Sequence, residues 1–532
     1  MDAVVDYHRR RIKALLRTTQ VPNTDAGSHV DHVVAAIRTF RIPELCRLIL
    51  ECTPKRYWTI LCLVSKDFLQ GVQPLIWKAL SCNKRTDVEK IHLHVYKYAE
   101  LVKVLDLSDL RQPELSMMLQ PFLEVAVYRV LGIVSLKLHD TELTTPQLVH
   151  ILVYLPSLRT IDITACLLDQ HPLNILSRNI HLESIAFTHD IMQPHGKELE
   201  ADIFQTWKNL RHLSIKGSAS NETMTSNIFF QERLHTASLH LISLKLAEMN
   251  GWTHSMLARV LQNGQMLTRL CLAECDVQGG SLVSLSSHLG ALQTLEIKNC
   301  PRIYSAHCTS LLKACPRIRH VDFSMQSLGS DIFYHLARNA PALTSLILRG
   351  CAFKAVDLKQ VMDHCAHLQR LVIEVLPGVG LLGDLFGGQS WGCLDIQEIF
   401  ISSVRWPPFS FTAEHSKAVA LMNMWTMISK LRHLRILSLT DIGGEPRFSM
   451  NDGLSQLAKL EKLALTDIGP WKYTDVLLIA EAFPWLEEFR YSARDMSTDL
   501  WAWFKRNRPD VKLIGDPLPK RCRLETPVNH HH

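Results

Sequence analysis

The sequence predicts an α/β repeat solenoid, with a parallel sheet on its concave side and helices packed outside it. Three observations carry this. Fifteen segments repeat the order apolar–x–x–apolar–x–apolar, as in Leu343-Thr-Ser-Leu346-Ile-Leu348. Their starts, from Val102 to Leu486, mostly lie 24 to 31 residues apart. Between them run amphipathic stretches bounded by helix start and stop signals, so each unit is one strand and one helix. A unit this small cannot bury its own apolar face; stacking on its neighbours buries it.

Taken in order, residues 1–40 read as a weak helical lead-in, broken by a polar stretch at 22–28. Residues 41–82 read as a small three-helix domain. Leu45, Leu48, Ile49 and Cys52 share one helix face, and Trp58, Leu61, Val64 and Phe68 form a second. Pro54 and Gly71 end those helices, and Pro74-Leu-Ile-Trp77-Lys-Ala-Leu80 begins a third. Three short helices bury little surface alone, so the unit needs a partner or a neighbouring domain. The repeats occupy 98–515, followed by a tail, 516–532. In each, the strand is followed by a turn and a helix. Thr144-Thr-Pro146 starts one such helix, since threonine caps and proline fits the first turn. Leu148, Ile151, Leu152 and Leu155 form its buried stripe.

Composition narrows the partners. Apolar content of 47% with 21% charged residues is that of an ordinary folded chain. A net charge of +6 spread over 532 residues lacks the clustered basic face of a nucleic-acid binder. No stretch approaches the ~18 consecutive apolar residues of a membrane span, and the first twenty residues lack a signal-peptide core. Fourteen cysteines occur without a CxxC pair. Four of them, Cys166, Cys275, Cys300 and Cys351, stand three residues after the last apolar residue of a strand. A recurring position predicts a packing role at the strand-to-helix corner, as reduced thiols of a cytoplasmic or nuclear protein.

Two segments resemble known families. Ile42-Pro43-Glu-Leu45-Cys-Arg-Leu48-Ile49, then Leu61-Cys-Leu63-Val64-Ser-Lys-Asp-Phe68, then Pro74-Leu-Ile-Trp77, resemble an F-box in composition and order. Ile42 stands where the family opens with leucine, Ile76 precedes the closing Trp77, and Tyr57-Trp58 replaces a common Asp-Leu. The repeats resemble the cysteine-containing leucine-rich repeats found with F-boxes: Leu311-Leu-Lys-Ala-Cys315-Pro-Arg-Ile318 matches the helix-end consensus, and Cys275, Cys300 and Cys351 the strand-end cysteine. Together the resemblances imply the substrate-receptor subunit of an SCF-type cullin–RING ubiquitin ligase. Pro43, Leu48, Ile49, Leu61, Val64 and Trp77 would then dock on the adaptor subunit and, through it, the cullin, while the repeats hold a protein substrate. The resemblance implies no enzyme activity and no cofactor. The competing reading is a repeat scaffold outside any ligase, whose N-terminal helices cap the first repeat.

Other motifs are weaker. Gly378-Val-Gly-Leu-Leu-Gly383 matches GxGxxG, but Gly387-Gly-Gln-Ser-Trp-Gly392 follows where a helix must begin. His364-Cys365-Ala-His367 is the tightest metal-like cluster, and it occupies a helix end where the repeat already requires a cysteine. No metal site is expected.

The concave face can be read from alternation. Its central positions are mostly polar or small, except Ile347, Val372 and Phe400 on three consecutive strands. These predict an exposed apolar patch rimmed by Arg349, Arg370 and Glu374, and hence the substrate site. Two insertions lie beside it: the glycine-rich 377–395 with Trp391, and 402–433 with Trp406-Pro-Pro-Phe409, which makes the longest repeat spacing, 38 residues.

Overall fold

A computed structural model describes residues 76–82, 88–128, 131–169, 171–188, 206–217, 240–249, 257, 261, 264–375, 385, 391–402, 419, 422–440, 456–466, 473–492 and 496–516. The contacts divide the chain into two units: one of residues up to 106 with 116–135, the other of 107–115 and all that follows 135. The division falls inside the repeats. Most of the F-box-like segment, including Pro43, Leu48, Ile49, Leu61 and Val64, lies outside the described residues, as do the lead-in and the GxGxxG stretch.

The first unit holds β1 (Ala79–Ser81) and β2 (Val104–Asp106), paired in parallel with Leu80 opposite Leu105. The sequence reading ran a third helix through 74–80. Among the described residues of that segment, Ile76 and Trp77 are helical and the chain turns at Lys78 into β1. Leu80 is thereby buried in line with the leucines of the repeats.

The second unit is the repeat array: β3 (Ser135–Lys137), β4 (Thr160–Ile163), β5 (Ser184–Thr188), β6 (His212–Lys216), β7 (Ser243–Ala247), β8 (Arg269–Ala273), β9 (Thr294–Lys298), β10 (His320–Asp322), β11 (Ser345–Cys351), β12 (Arg370–Val375), β13 (Glu398–Ser402), β14 (Ile436–Thr440), β15 (Lys462–Thr466), β16 (Glu488–Ser492) and β17 (Lys512–Asp516). From β4 to β17 each strand pairs in parallel with the next, one residue to one residue except for a register shift between Arg349 and Cys351 on β11. All fifteen expected segments form strands; β1 and β17 extend the set. This is a leucine-rich-repeat fold.

The pattern explains the packing. In the repeat of β11, Leu343, Leu346 and Leu348 are fully buried beneath the sheet. Each is worth roughly 1.5–3 kcal/mol by burial. The helices close the layer from outside. Ser330–Asn339 buries Ile332, Phe333 and Leu336, and Ala355–His364 buries Leu358, Val361 and Met362, the spacing of one helical face. Gln147 Oε1 accepts from both the Thr144 amide (3.0 Å) and hydroxyl (2.9 Å) where that helix begins.

The strand-to-helix corner has a repeated geometry. Three residues after the central open-face position the backbone turns left-handed, at Asp109, Asp140, Ala165, Glu248, Glu274, Asn299, Met325 and Gly350. Glycine suits Gly350, because it takes the left-handed conformation without strain and a Cβ there would displace the Met325 side chain. The next residue turns inward, and this is the place of the recurrent cysteines. Cys166 Sγ donates to the Leu138 carbonyl (2.9 Å), Cys275 to Leu246 (3.4 Å), Cys300 to Leu272 (3.6 Å) and Cys351 to Phe323. Each acceptor belongs to the preceding repeat. A thiol is apolar enough for the buried corner and still donates to a carbonyl of the neighbouring unit.

A second set of links runs at the helix ends. Cys315 donates to Leu289 O (3.4 Å) and Cys365 to Leu336 O (3.6 Å). Arg508 takes this position in the last repeat, where its guanidinium donates to Ala480 O (2.7 Å), Phe483 O (3.1 Å) and Leu486 O (3.4 Å). Cys365 is thus turned to carbonyls, and His364 Nδ1 lies 2.8 Å from Gln360 O.

The four corner cysteines are free and buried. Burial pushes the Cys351 thiol up to about 11 and Cys315 to about 12, keeping both protonated as donors. The Cys315 and Cys351 thiols should therefore resist alkylation until the chain unfolds. Cys300→Ala should cost only about 1 kcal/mol in denaturant unfolding, as a small core truncation. A native disulfide among the four, found by mass spectrometry, would overturn this account of the corner.

Candidate functional site

Side chains on β8 to β13 that point away from the leucines form one open face, and the register sorts them into rows. One row runs Arg269, Thr294, His320, Ser345, Arg370, Glu398; the next Cys271, Glu296, Asp322, Ile347, Val372, Phe400. A third begins Ala273, Lys298 and, past the end of β10, Ser324 lies level with it; farther on it holds Arg349, Glu374 and Ser402.

The structure brings the predicted site residues together. Ile347, Val372 and Phe400 are register partners on β11, β12 and β13, and Arg349 pairs with Glu374 beside them. It corrects their exposure. Ile347 and Val372 are buried, at 7% and 4% exposed, and Phe400 is half-buried. In their row Ile347 lies between Asp322 and Val372, and Val372 between Ile347 and Phe400, so each covers a flank of the other. Arg349 and Glu374 are exposed and Arg370 is half-buried. The Arg370 guanidinium lies 5.7 Å from the centre of the Phe400 ring, a cation–π contact, and its Nε is 3.3 Å from Glu398 Oε2. The accessible apolar surface is therefore the edge of Phe400 under a movable arginine.

Of the flanking insertions, Trp391 is 1% exposed, and its indole N–H donates to Leu385 O at 3.3 Å. It is a core residue rather than an interface anchor; an indole with a nearby acceptor packs inward as readily as it binds outward. Trp406 and Phe409 lie outside the described residues.

Beside the apolar centre is a charge network that the sequence reading did not single out. Glu296 is 6% exposed and held by Arg269 Nη2 (2.6 Å) and Lys298 Nζ (2.7 Å). Lys298 also reaches Asp322 Oδ2 at 3.1 Å. Asp322, 5% exposed, accepts through Oδ1 from the Ser324 amide (3.1 Å) and hydroxyl (2.5 Å). The carboxylates lie beneath and the cations above, with Arg269 about half exposed. The signal was available: basic and acidic residues alternate at open-face positions on adjacent strands.

Burial works to raise the Glu296 carboxyl. Hydrogen bonds and charge from Lys298, then Arg269, outweigh it and hold the group at about 2, against an ordinary 4.5. Burial lowers His320, in the same patch, so its imidazole is neutral at pH 7. Nothing here forms a catalytic constellation: the carboxylates are spent on fixed cations. No group of three or more His, Cys, Asp or Glu able to hold a metal occurs among the described residues, and none of their helices is long and apolar enough to cross a membrane.

The Glu296 clasp predicts an acid response. A carboxyl with a depressed pKa adds stability that is complete above about pH 4.5 and lost as pH falls toward about 2. Glu296→Gln should cost about 1–2 kcal/mol at pH 7, since Lys298 keeps Asp322 and Arg269 stays hydrated. Denaturant unfolding at a series of pH values should then show a shallower loss across that window in the variant than in the parent. Parallel curves would remove Glu296 as the titrating group.

No family model matches the chain. Among solved structures, it resembles the yeast Rad7–Elc1 complex structure at 13% identity, covering 93% of this chain and 99% of that one, with a TM-score of 0.41. A leucine-rich-repeat protein of Leptospira interrogans matches at 12% identity over 74% of this chain and 98% of that one, TM-score 0.34. An internalin of Listeria monocytogenes matches at 16% over 71% and 94%, TM-score 0.32. At such values nothing those proteins bind transfers here, and the repeat fold stands on register and corner geometry.

Proposed function

We propose that this chain is the substrate-recognition adaptor of an SCF-type ubiquitin ligase. The observation that carries the reading is order: the F-box-like residues Pro43, Leu48, Ile49, Leu61, Val64 and Trp77 stand directly ahead of a leucine-rich-repeat array. A three-helix unit too small to bury its own apolar faces offers them to partner helices. The array offers a long face for a protein substrate, centred on Phe400 with Arg349, Arg370, Glu374, Ile347 and Val372. The adaptor subunit and, through it, the cullin are the partners at one end, a protein substrate at the other. The chain itself performs no chemistry in this scheme; it brings two proteins together.

One observation favours the second reading, a scaffold whose N-terminal helices act as a cap. Trp77 is half-buried and stacks on Tyr98 at 5.0 Å, so the end of the motif packs within its own unit. An F-box tryptophan can serve both roles, and co-purification with the SCF adaptor and cullin separates the readings.

Ile49→Glu combined with Val64→Glu should abolish adaptor co-purification while circular dichroism of the array is retained. Normal adaptor capture by the folded double variant would remove the ligase reading. Phe400→Ala should weaken substrate capture by about 1–3 kcal/mol and leave adaptor binding unchanged. Substrates for that measurement come from affinity capture with the F-box disabled, so that they are held and not degraded.

A further inference from the structure

Among the described residues, two buried side-chain polar atoms lack a hydrogen-bond partner: Ser345 Oγ and Arg370 Nε. They are neighbours. Ser345 on β11 is the register partner of Arg370 on β12, on the open face, one row from Ile347, Val372 and Phe400. Native structures rarely leave a buried donor unmet, and two side by side mark a place where an acceptor is missing. Arg370 Nε is near Glu398 Oε2, at 3.3 Å, but without hydrogen-bond alignment.

The surroundings define the acceptor. Two adjacent donors, one of them cationic, match the two oxygens of a carboxylate. Arg349, exposed on the neighbouring row, has no ion pair among the described residues, and Arg269 and Lys298 add positive charge nearby although both are held by buried carboxylates. A phosphate would bring nearly two negative charges against Glu374 and Glu398, whereas one carboxylate brings a single charge. Phe400, half-buried beneath the Arg370 guanidinium, is the apolar contact next to it. Arg370 covers Phe400 and its side chain is 42% exposed, so a segment laid on this face meets the guanidinium first.

We propose that this face takes a protein segment carrying an aspartate or glutamate beside an apolar side chain. The carboxylate accepts from Arg370 Nε–H and Ser345 Oγ–H, and the apolar side chain covers Phe400. The proposal rests on the substrate-binding reading above and names the chemistry of the segment bound.

The test uses the full chain and three libraries of randomised octapeptides that differ in one fixed central residue: aspartate, asparagine or phosphoserine. The aspartate library should be retained at least about tenfold better than the asparagine library, with leucine, isoleucine or phenylalanine enriched beside the fixed position. Arg370→Met should weaken the best aspartate peptide about tenfold or more, and Ser345→Ala about three- to tenfold. Ser345→Ala should also raise the Tm of the free chain by about 1–2 °C, because it deletes an unmet hydroxyl. A merely structural serine would not show both changes. Equal retention of asparagine, preference for phosphoserine, retention of no library, insensitivity to Arg370→Met, or a lowered Tm in Ser345→Ala would each overturn the proposal. Adaptor co-purification is read separately. Its loss with peptide binding intact removes the ligase reading alone, and the converse removes this inference alone.

Discussion

The in-step parallel pairing of neighbouring strands is the constraint from which the rest of the array follows. Because β8 to β16 advance together residue for residue, every position of a repeat forms a row with its counterparts. Rows of leucine make the core. Rows of left-handed residues make the corners, and a side chain just past each corner reaches a carbonyl of the unit before. The one slip lies between Arg349 and Cys351, where Gly350 is left over as a bulge beside the candidate site. Bulges re-aim side chains, and this one sits where the face changes from charged to apolar.

The open face divides its charges by depth. Burying a carboxylate is tolerable only when cations and hydrogen bonds replace the lost water, and Glu296 and Asp322 meet that condition with Arg269, Lys298 and Ser324. The same sheet two strands on does not complete its hydrogen bonding, at Ser345 and Arg370. A surface satisfied on one side and deficient on the other is the profile of a site whose structure gives up some stability for binding.

The array was legible because its period is strict: fifteen apolar triplets gave fifteen strands. β1 and β17 were not, since each departs from the triplet: Ala79–Ser81 follows a helix signal, and Lys512–Asp516 lacks the leading spacing. The site was legible in its membership and not in its depth. Alternation places Ile347, Val372 and Phe400 on one face, but exposure depends on the length of neighbouring side chains, which no single strand encodes. The same limit hid Trp391, whose acceptor is a carbonyl six residues earlier. The clasp around Glu296 needs residues from β8, β9 and β10 at once. The F-box-like reading rests on motif order in the sequence, and most of that segment lies outside the described residues.

The corner and helix-end links give the array a polarity. The corner and helix-end thiols donate to carbonyls of the unit before, and the corner thiols to carbonyls of their own unit as well. Arg508 donates backward for the last full repeat, with three bonds from one guanidinium. The two ends are therefore not equivalent under shortening. Removing a unit from the front takes its acceptor carbonyls away from the thiols of the unit behind it, whereas cutting behind residue 507 removes three guanidinium bonds to the carbonyls of Ala480, Phe483 and Leu486. A domain boundary drawn for this protein belongs after Arg508, and an array lengthened by duplication would have to grow from within.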